Sequence, residues 1–404
     1  MSDGMGDHTP DQPGDGNPFA NLPLFGEMAK ALSGQGPLNW EAARQFAAMA
    51  AGANPGGGSE PNVEPTVRIA LTDLARILEL HVRDLTGSEA ELPEILALGR
   101  QAWAQRTLEA YRPLFTELAT SLGRRPAPSE ADADADPMMA MMANLSQMMA
   151  PAMMGMAVGS MVGRMALRAF GQYDLPLPRD GRHLLVVPAN IDGFAADWSL
   201  PVDEMRLWVL AQELIGHVLF TLPHLSAGLS ELVRRHVGAF RPDPEAVGQH
   251  LAQLDGGAMG DPMQAMQQLL GDPAILLGAV QSPEQAAMAP QLDAAVAAVV
   301  GAIDYLVDAV AVRVIGGEAL RLAEAVRRRR VESSAEDVFV ERLLGLQLTQ
   351  QQVQRGKTFV AGVVDRLEGP HPEAQLVELL GRPNALPTPA ELDAPGLWLA
   401  RLAL

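Results

Sequence analysis

Glu213 and His217 stand four residues apart in the segment 202-VDEMRLWVLAQELIGHVLF-220. On an α-helix that spacing places a carboxylate and an imidazole one turn apart on one face, and both groups can ligate zinc. In a second frame the segment approaches the zinc-binding helix pattern H-E-x-x-H. There, histidines at i and i+4 converge on the ion and the glutamate beside the first polarises a bound water. In that frame the two histidine positions fall on Gln212 and Gly216, and the glutamate on Glu213. A carboxamide oxygen is a weak zinc ligand beside an imidazole, and glycine offers no ligand at all. The shifted frame, Glu213 with His217, supplies two ligands where a catalytic zinc takes three from the protein, so His183 or His224 would have to provide the third. Without a metal, Glu213 is expected to be a buried carboxylate paired with an arginine or with backbone groups.

The helix that carries these residues is apolar on nearly every face, from Leu207, Trp208, Val209 and Leu210 to Val218, Leu219 and Phe220, so it is expected to be central and buried. Gly216 in its interior costs about 1 kcal/mol relative to alanine, which points to either a close packing contact or a tolerated loss. The chemistry open to the chain is narrowed by its composition. With no cysteine in 404 residues, thiol nucleophiles, disulfides and cysteine zinc sites are excluded, so any metal rests on His, Asp and Glu. The net charge of -19 repels phosphate backbones and argues against a nucleic-acid partner. The acidic, glycine-rich N-terminus does not resemble a secretory signal, so a cytoplasmic location is expected.

Along the chain, composition and periodicity predict a mainly α fold with a small β element. Residues 1–16 read as a flexible N-terminal tail, 17–50 as an N-terminal arm packing on the domain through residues such as Phe19, Leu22 and Phe25, and 51–65 as a linker. The domain then runs over 66–404. Within it, 94–122 is expected to be one long helical stretch and 124–136 a solvated acidic loop. The run 183-HLLVVPANI-191 is the one segment that looks like a strand. The methionine-rich run 138–163 is uncharged and long enough to raise a membrane question. Asn144, Ser146, Gln147 and Pro151, with Arg164 and Arg168 following, favour a buried or interface helix over a membrane span. Gly155, Gly159 and Gly163 lie four apart, which would let another helix approach closely. Arg327–Arg330 are expected to cap and solvate a helix end.

Several blocks, in order, resemble one family. These are NPFANLPLFGEMAKALSGQGPLNWEAARQ, GSMVGRMALRAFGQYDLPLPR, LLVVPANIDGFAADWSLPVDEMRLWV, RLLGLQLTQQQVQRGKTFVAGVVDR and the closing NALPTPAELDAPGLWLARL. Together they make the chain similar to the zincin-like metallopeptidase family of actinobacteria, a zinc-dependent family of the H-E-x-x-H type, from residue 17 to the end. The resemblance implies a zincin-like helical domain. It places the family's histidines on Gln212 and Gly216 and its general-base glutamate on Glu213. The family's downstream segment, of the form E-G-H-x-D-Y-V-M-D, falls on VGAIDYLVD, so that its third-ligand position is Val300 while Gly301, Asp304, Tyr305 and Asp308 persist. On this reading the chain has a degenerate zinc motif, takes no metal cofactor, and is a pseudoenzyme that binds a protein or peptide partner the sequence does not identify. The alternative is an active zinc hydrolase with a relocated site on Glu213 and His217. A third possibility is an assembly role through the Met- and Gly-rich helix, whose thioethers suit adaptable apolar contacts.

Overall fold

Proline marks the starts of many helices, because its fixed φ suits the first turn and its missing N–H would have no partner there. The computed structural model describes residues 36–52, 60, 62–89, 93–123, 137–181, 183–241, 282–331, 339–346 and 348–403. In chain order the elements are α1 (Trp40–Ala51), α2 (Pro65–Thr86), β1 (Glu94–Ala97), α3 (Arg100–Ala110), α4 (Arg112–Leu122), α5 (Pro137–Ala166), β2 (His183–Val186), α6 (Pro188–Asp197), α7 (Val202–Phe220) and α8 (Pro223–Gly238). After them come α9 (Pro283–Val314), α10 (Ala319–Val331), α11 (Phe339–Leu343), α12 (Gln350–Val364), α13 (Pro372–Leu380), α14 (Pro389–Asp393) and α15 (Pro395–Leu402). The fold is mainly α with a small β element. The expected tail 1–16, the first part of the expected arm (17–35), most of the expected linker and the acidic loop 124–136 lie outside the described residues.

Two helices form the centre. From Trp208 to Phe220 every residue of α7 is buried, as its all-round apolar sequence requires. The 32-residue α9 opens with a capping box, in which Ser282 and Gln285 each bond the other's backbone amide. It packs on α7 and on α12. This helix is long and apolar enough to cross a membrane, but 78% of its most apolar stretch is buried inside the fold. Gly301 of α9 and Gly356 of α12 allow the two backbones to touch, since a Cβ at Gly301 would lie 2.8 Å from the Lys357 amide nitrogen.

The small sheet departs from expectation. Residues 94–122 do not form one helical stretch: Glu94–Ala97 is a strand that pairs in parallel with His183–Val186, with Ile95 opposite Leu184 and Leu96 opposite Leu185. The short apolar run between Pro93 and Gly99 finds a distant partner that local periodicity cannot reveal. The helical remainder breaks at Tyr111 into α3 and α4. The second strand is also shorter than the run 183–191, because Pro188 begins α6.

The glycine spacing in α5 is used against α1. A Cβ at Gly159 would lie 2.9 Å from the carbonyl carbon of Ala43 and 3.0 Å from its Cα, and one at Gly163 would meet the Ala47 carbonyl oxygen at 2.6 Å. Ala43, Ala47 and Ala51 form the facing stripe and are fully buried. The described C-terminal part of the methionine-rich segment is therefore a packed helix, with Val158, Met161, Val162 and Met165 in the core. Replacing Gly159→Ala should lower stability by about 1–3 kcal/mol, since the added methyl forces α1 away. The control, Gly193→Ala in α6, meets nothing within 4 Å and should raise stability by up to about 1 kcal/mol through helix propensity. Urea unfolding midpoints of the two variants should move in opposite directions.

Candidate functional site

Glu213 sits at the middle of α7 and is fully buried. Its carboxylate accepts the backbone N–H of Gln172 at 2.8 Å and that of Tyr173 at 2.9 Å, both through Oε2, with Oε1 a further 3.2 Å from the Tyr173 nitrogen. The carboxylate thus caps a 3-10 turn, Gln172–Asp174. Gly171 makes that approach possible: a Cβ there would lie 2.7 Å from Glu213 Cγ and 2.5 Å from Oε1. The expectation of a buried carboxylate paired with backbone groups is met by these two amides. Burial, reinforced by nearby Asp174, pushes the Glu213 carboxyl well above its usual range, against the pull of the two amides and of Arg179.

The turn is held on several sides. Val187 N–H donates to the Phe170 carbonyl at 2.8 Å, which fastens the turn to the end of β2. Trp103 of α3 donates its indole N–H to the Gly171 carbonyl at 2.8 Å. Asn190 of α6 donates to the carbonyls of Ala166 and Ala169 at 2.9 and 2.7 Å, securing the approach from α5. Asp174 accepts the amides of Phe170 and Gly171. Arg329 lies 3.7 Å above the Phe170 ring, forms an ion pair with Asp174 at 3.7 Å and donates to the Arg168 carbonyl. The arginine run is therefore not simply solvated: Arg327 pairs with Asp308, Arg328 lies over the Trp198 ring, and Arg329 clamps the turn. Sequence reasoning missed Trp103, Asn190 and Arg329, whose partners are distant in the chain.

Tyr173 brings the motif positions together. Its backbone N–H goes to Glu213. Its ring fills the space over Gly216, where a Cβ would meet Cδ2 at 2.9 Å and Cγ at 3.1 Å. Its hydroxyl lies 3.2 Å from His217 Nδ1, and its ring packs on Phe220 at 5.0 Å between centroids. Burial lowers the His217 pKa, which favours the neutral imidazole, and burial keeps the tyrosine hydroxyl beside it protonated. Gln212 is buried, and its Oε1 has no hydrogen-bond partner among the described residues. Val300 is buried in α9, next to the Gly301 that receives α12.

The donor set does not suit zinc. The Glu213 oxygens face amide donors, His217 presents Nδ1 to a tyrosine, position 216 has no side chain and position 300 is a hydrocarbon. His183 is exposed at the start of β2, 3.6 Å from Glu94, and His224 is exposed on α8, so neither joins Glu213 and His217. Among the described residues no group of three or more His, Asp or Glu is arranged to hold a metal ion. What the arrangement can do chemically is order a backbone turn and hold a tyrosine in place.

Comparison with known proteins places the chain. The crystal structure of a candidate hydrolase with a novel fold from Chloroflexus aurantiacus is similar to it at a TM-score of 0.56 and 22% identity, covering 91% of this chain and 99% of that one; the likeness is one of fold. No curated protein matches. The family model for the zincin-like metallopeptidases matches residues 38–399, nearly the whole of the fold described above, and the chain belongs to that family.

Proposed function

We propose that this chain is a non-catalytic member of the zincin-like metallopeptidase family, with a degenerate zinc motif, that works as a binding or interaction protein in the cytoplasm. The observation that carries this reading is the Glu213 carboxylate: both backbone amides of the Gln172–Tyr173 turn converge on the group that would otherwise polarise a zinc-bound water. A general base must reach its proton within hydrogen-bond distance in a site open to substrate. Glu213 is fully buried and its oxygens already face donors. The Tyr173 ring over Gly216 supports the same reading, because it fills the volume that a ligand side chain at 216 would need. The strong negative charge supports a protein or peptide partner over a nucleic acid.

If Glu213 is an anchor, Glu213→Ala should destabilise the fold by about 2–4 kcal/mol, from two orphaned buried amides and a cavity. Glu213→Gln keeps an acceptor and should cost less than about 1 kcal/mol. The folded pKa of Glu213 lies above its usual 4.5, so its contribution to stability is complete below that pH and declines as pH rises through the folded value. Glu213→Gln lacks this decline, and its stability relative to the parent should increase with pH above 4.5 in urea titrations. A catalytic Glu213 would show the reverse priority, with Glu213→Gln folding normally and abolishing a measurable peptidase activity.

Metal analysis gives a second check. The purified protein should carry no stoichiometric zinc and no chelator-sensitive peptidase activity. The triple change Gln212→His, Gly216→His, Val300→Glu should bind zinc only when Tyr173→Ala is added, because the ring occupies the space for the new side chain at 216. Stoichiometric zinc in the parent, lost on His217→Ala, would instead establish the relocated-site hydrolase.

A further inference from the structure

Helix α2 buries Leu71, Leu78, Val82 and Leu85 in the core. Its opposite face carries Ile69, Asp73, Arg76 and Leu80, and all four are exposed: Ile69 by 62% and Leu80 by 72%, with the Asp73 and Arg76 side chains at 62% and 73%. Ile77, also exposed, flanks them. A single exposed apolar residue needs no explanation. The order of these four does, because they follow one another at four, three and four residues, the spacing of a coiled-coil seam. The seam covers about 16 Å of helix.

That spacing reads the same in both directions, and so does the chemistry along it. With a two-fold axis between Leu74 and Ala75, a second copy of α2 laid antiparallel sets Ile69 of each chain against Leu80 of the other, and Asp73 of each against Arg76 of the other. Within one chain Asp73 and Arg76 already pair at 3.6 Å, so two such pairs brought together make a ring of four charges of alternating sign. A parallel pairing would instead oppose like charges at both positions. Charges in the middle of a seam weaken it relative to an apolar one, but they fix its register. The exposed Val312 adds apolar surface at the Leu80 end of the helix, since its neighbour Arg313 pairs with Asp84 at 3.1 Å. Repulsion between two chains of net charge -19 opposes association. It is screened within about 8 Å at physiological salt, whereas the seam acts at contact distance. We propose that α2 is a homodimer interface, in which two copies of this chain pair antiparallel through Ile69, Asp73, Arg76 and Leu80. The inference does not rest on the reading of the zinc motif, to which none of these residues belongs.

Sedimentation equilibrium of the full chain at about 0.15 M salt tests the proposal. The parent should dimerise reversibly with Kd on the order of 50 µM, because one helix pair lies at the small end of specific interfaces. Asp73→Arg and Arg76→Asp each set like charges across the seam. Each alone should raise Kd at least about tenfold while circular dichroism shows the helical spectrum unchanged. Mixed in equal amounts, the two variants regain opposite charges across the seam and should associate within about threefold of the parent Kd. Cross-linking reads the direction of pairing, since the chain has no cysteine of its own. Ile69→Cys and Leu80→Cys oxidised together should give the mixed disulfide dimer in preference to either self-linked one. The proposal is overturned if the parent remains monomeric up to about 500 µM, tenfold above that Kd. It is equally overturned if dimerisation tolerates both single charge changes, if their mixture does not associate, or if each cysteine variant links chiefly to itself.

Discussion

The organisation of the site depends on one interaction, the bonding of a fully buried carboxylate to two consecutive backbone amides. An isolated buried charge is costly, and a buried amide without an acceptor is costly too. Joined, Glu213 and the Gln172–Tyr173 amides reduce both costs, and the junction ties the central helix α7 to the segment leaving α5. That segment is also bonded to β2, α3 and α6, and Arg329 of α10 closes it from a further side. Elements far apart in sequence thus meet around the segment between α5 and β2, whose backbone polar groups are satisfied by side chains and by the Val187 amide.

Small residues set the distances at which these elements meet. Gly171 lets the Glu213 carboxylate reach the turn, Gly216 lets the Tyr173 ring lie on α7, Gly159 and Gly163 seat α1 on α5, and Gly301 with Gly356 joins α9 to α12. In each case the glycine is chosen by a neighbour and not by its own dihedral angles. The helix-propensity cost of Gly216 is offset by the packing of an aromatic ring that also meets His217 and Phe220 of α7.

Much of this was legible from sequence where the signal is local. The all-round apolar character of 202–220 correctly marks a buried central helix, and the four-residue glycine spacing marks a close helix contact. The junction at Glu213 was legible only in kind, as a carboxylate needing backbone or arginine partners, because its donors lie 40 and 41 residues away. Strand β1 was hidden for the same reason: four residues acquire their identity from pairing with 183–186, and their own pattern also fits a helix. The arginine run was misread because charge alone suggests solvent, whereas an arginine stem and planar head can cover an aromatic ring and reach a carboxylate together.

The presence of a glutamate at 213, with Gln212, Gly216 and Val300 offering no strong zinc ligand, has a physical explanation that requires no catalysis. Substituting a side chain that holds buried amides leaves those donors unpaired, a penalty of about 1–3 kcal/mol for each group. Gly216 and Val300 have no polar obligation, and at 216 the smallest side chain is the one the Tyr173 ring accepts. The three positions are therefore under different constraints even with no metal in the argument: the carboxylate is fixed by the turn, position 216 by the ring, and position 300 by an apolar helix interface. A glutamate in such a sequence pattern is on that account weak evidence for hydrolysis, and the groups its oxygens face are the stronger evidence. Here they face backbone amides, which makes Glu213 part of the architecture that holds the turn.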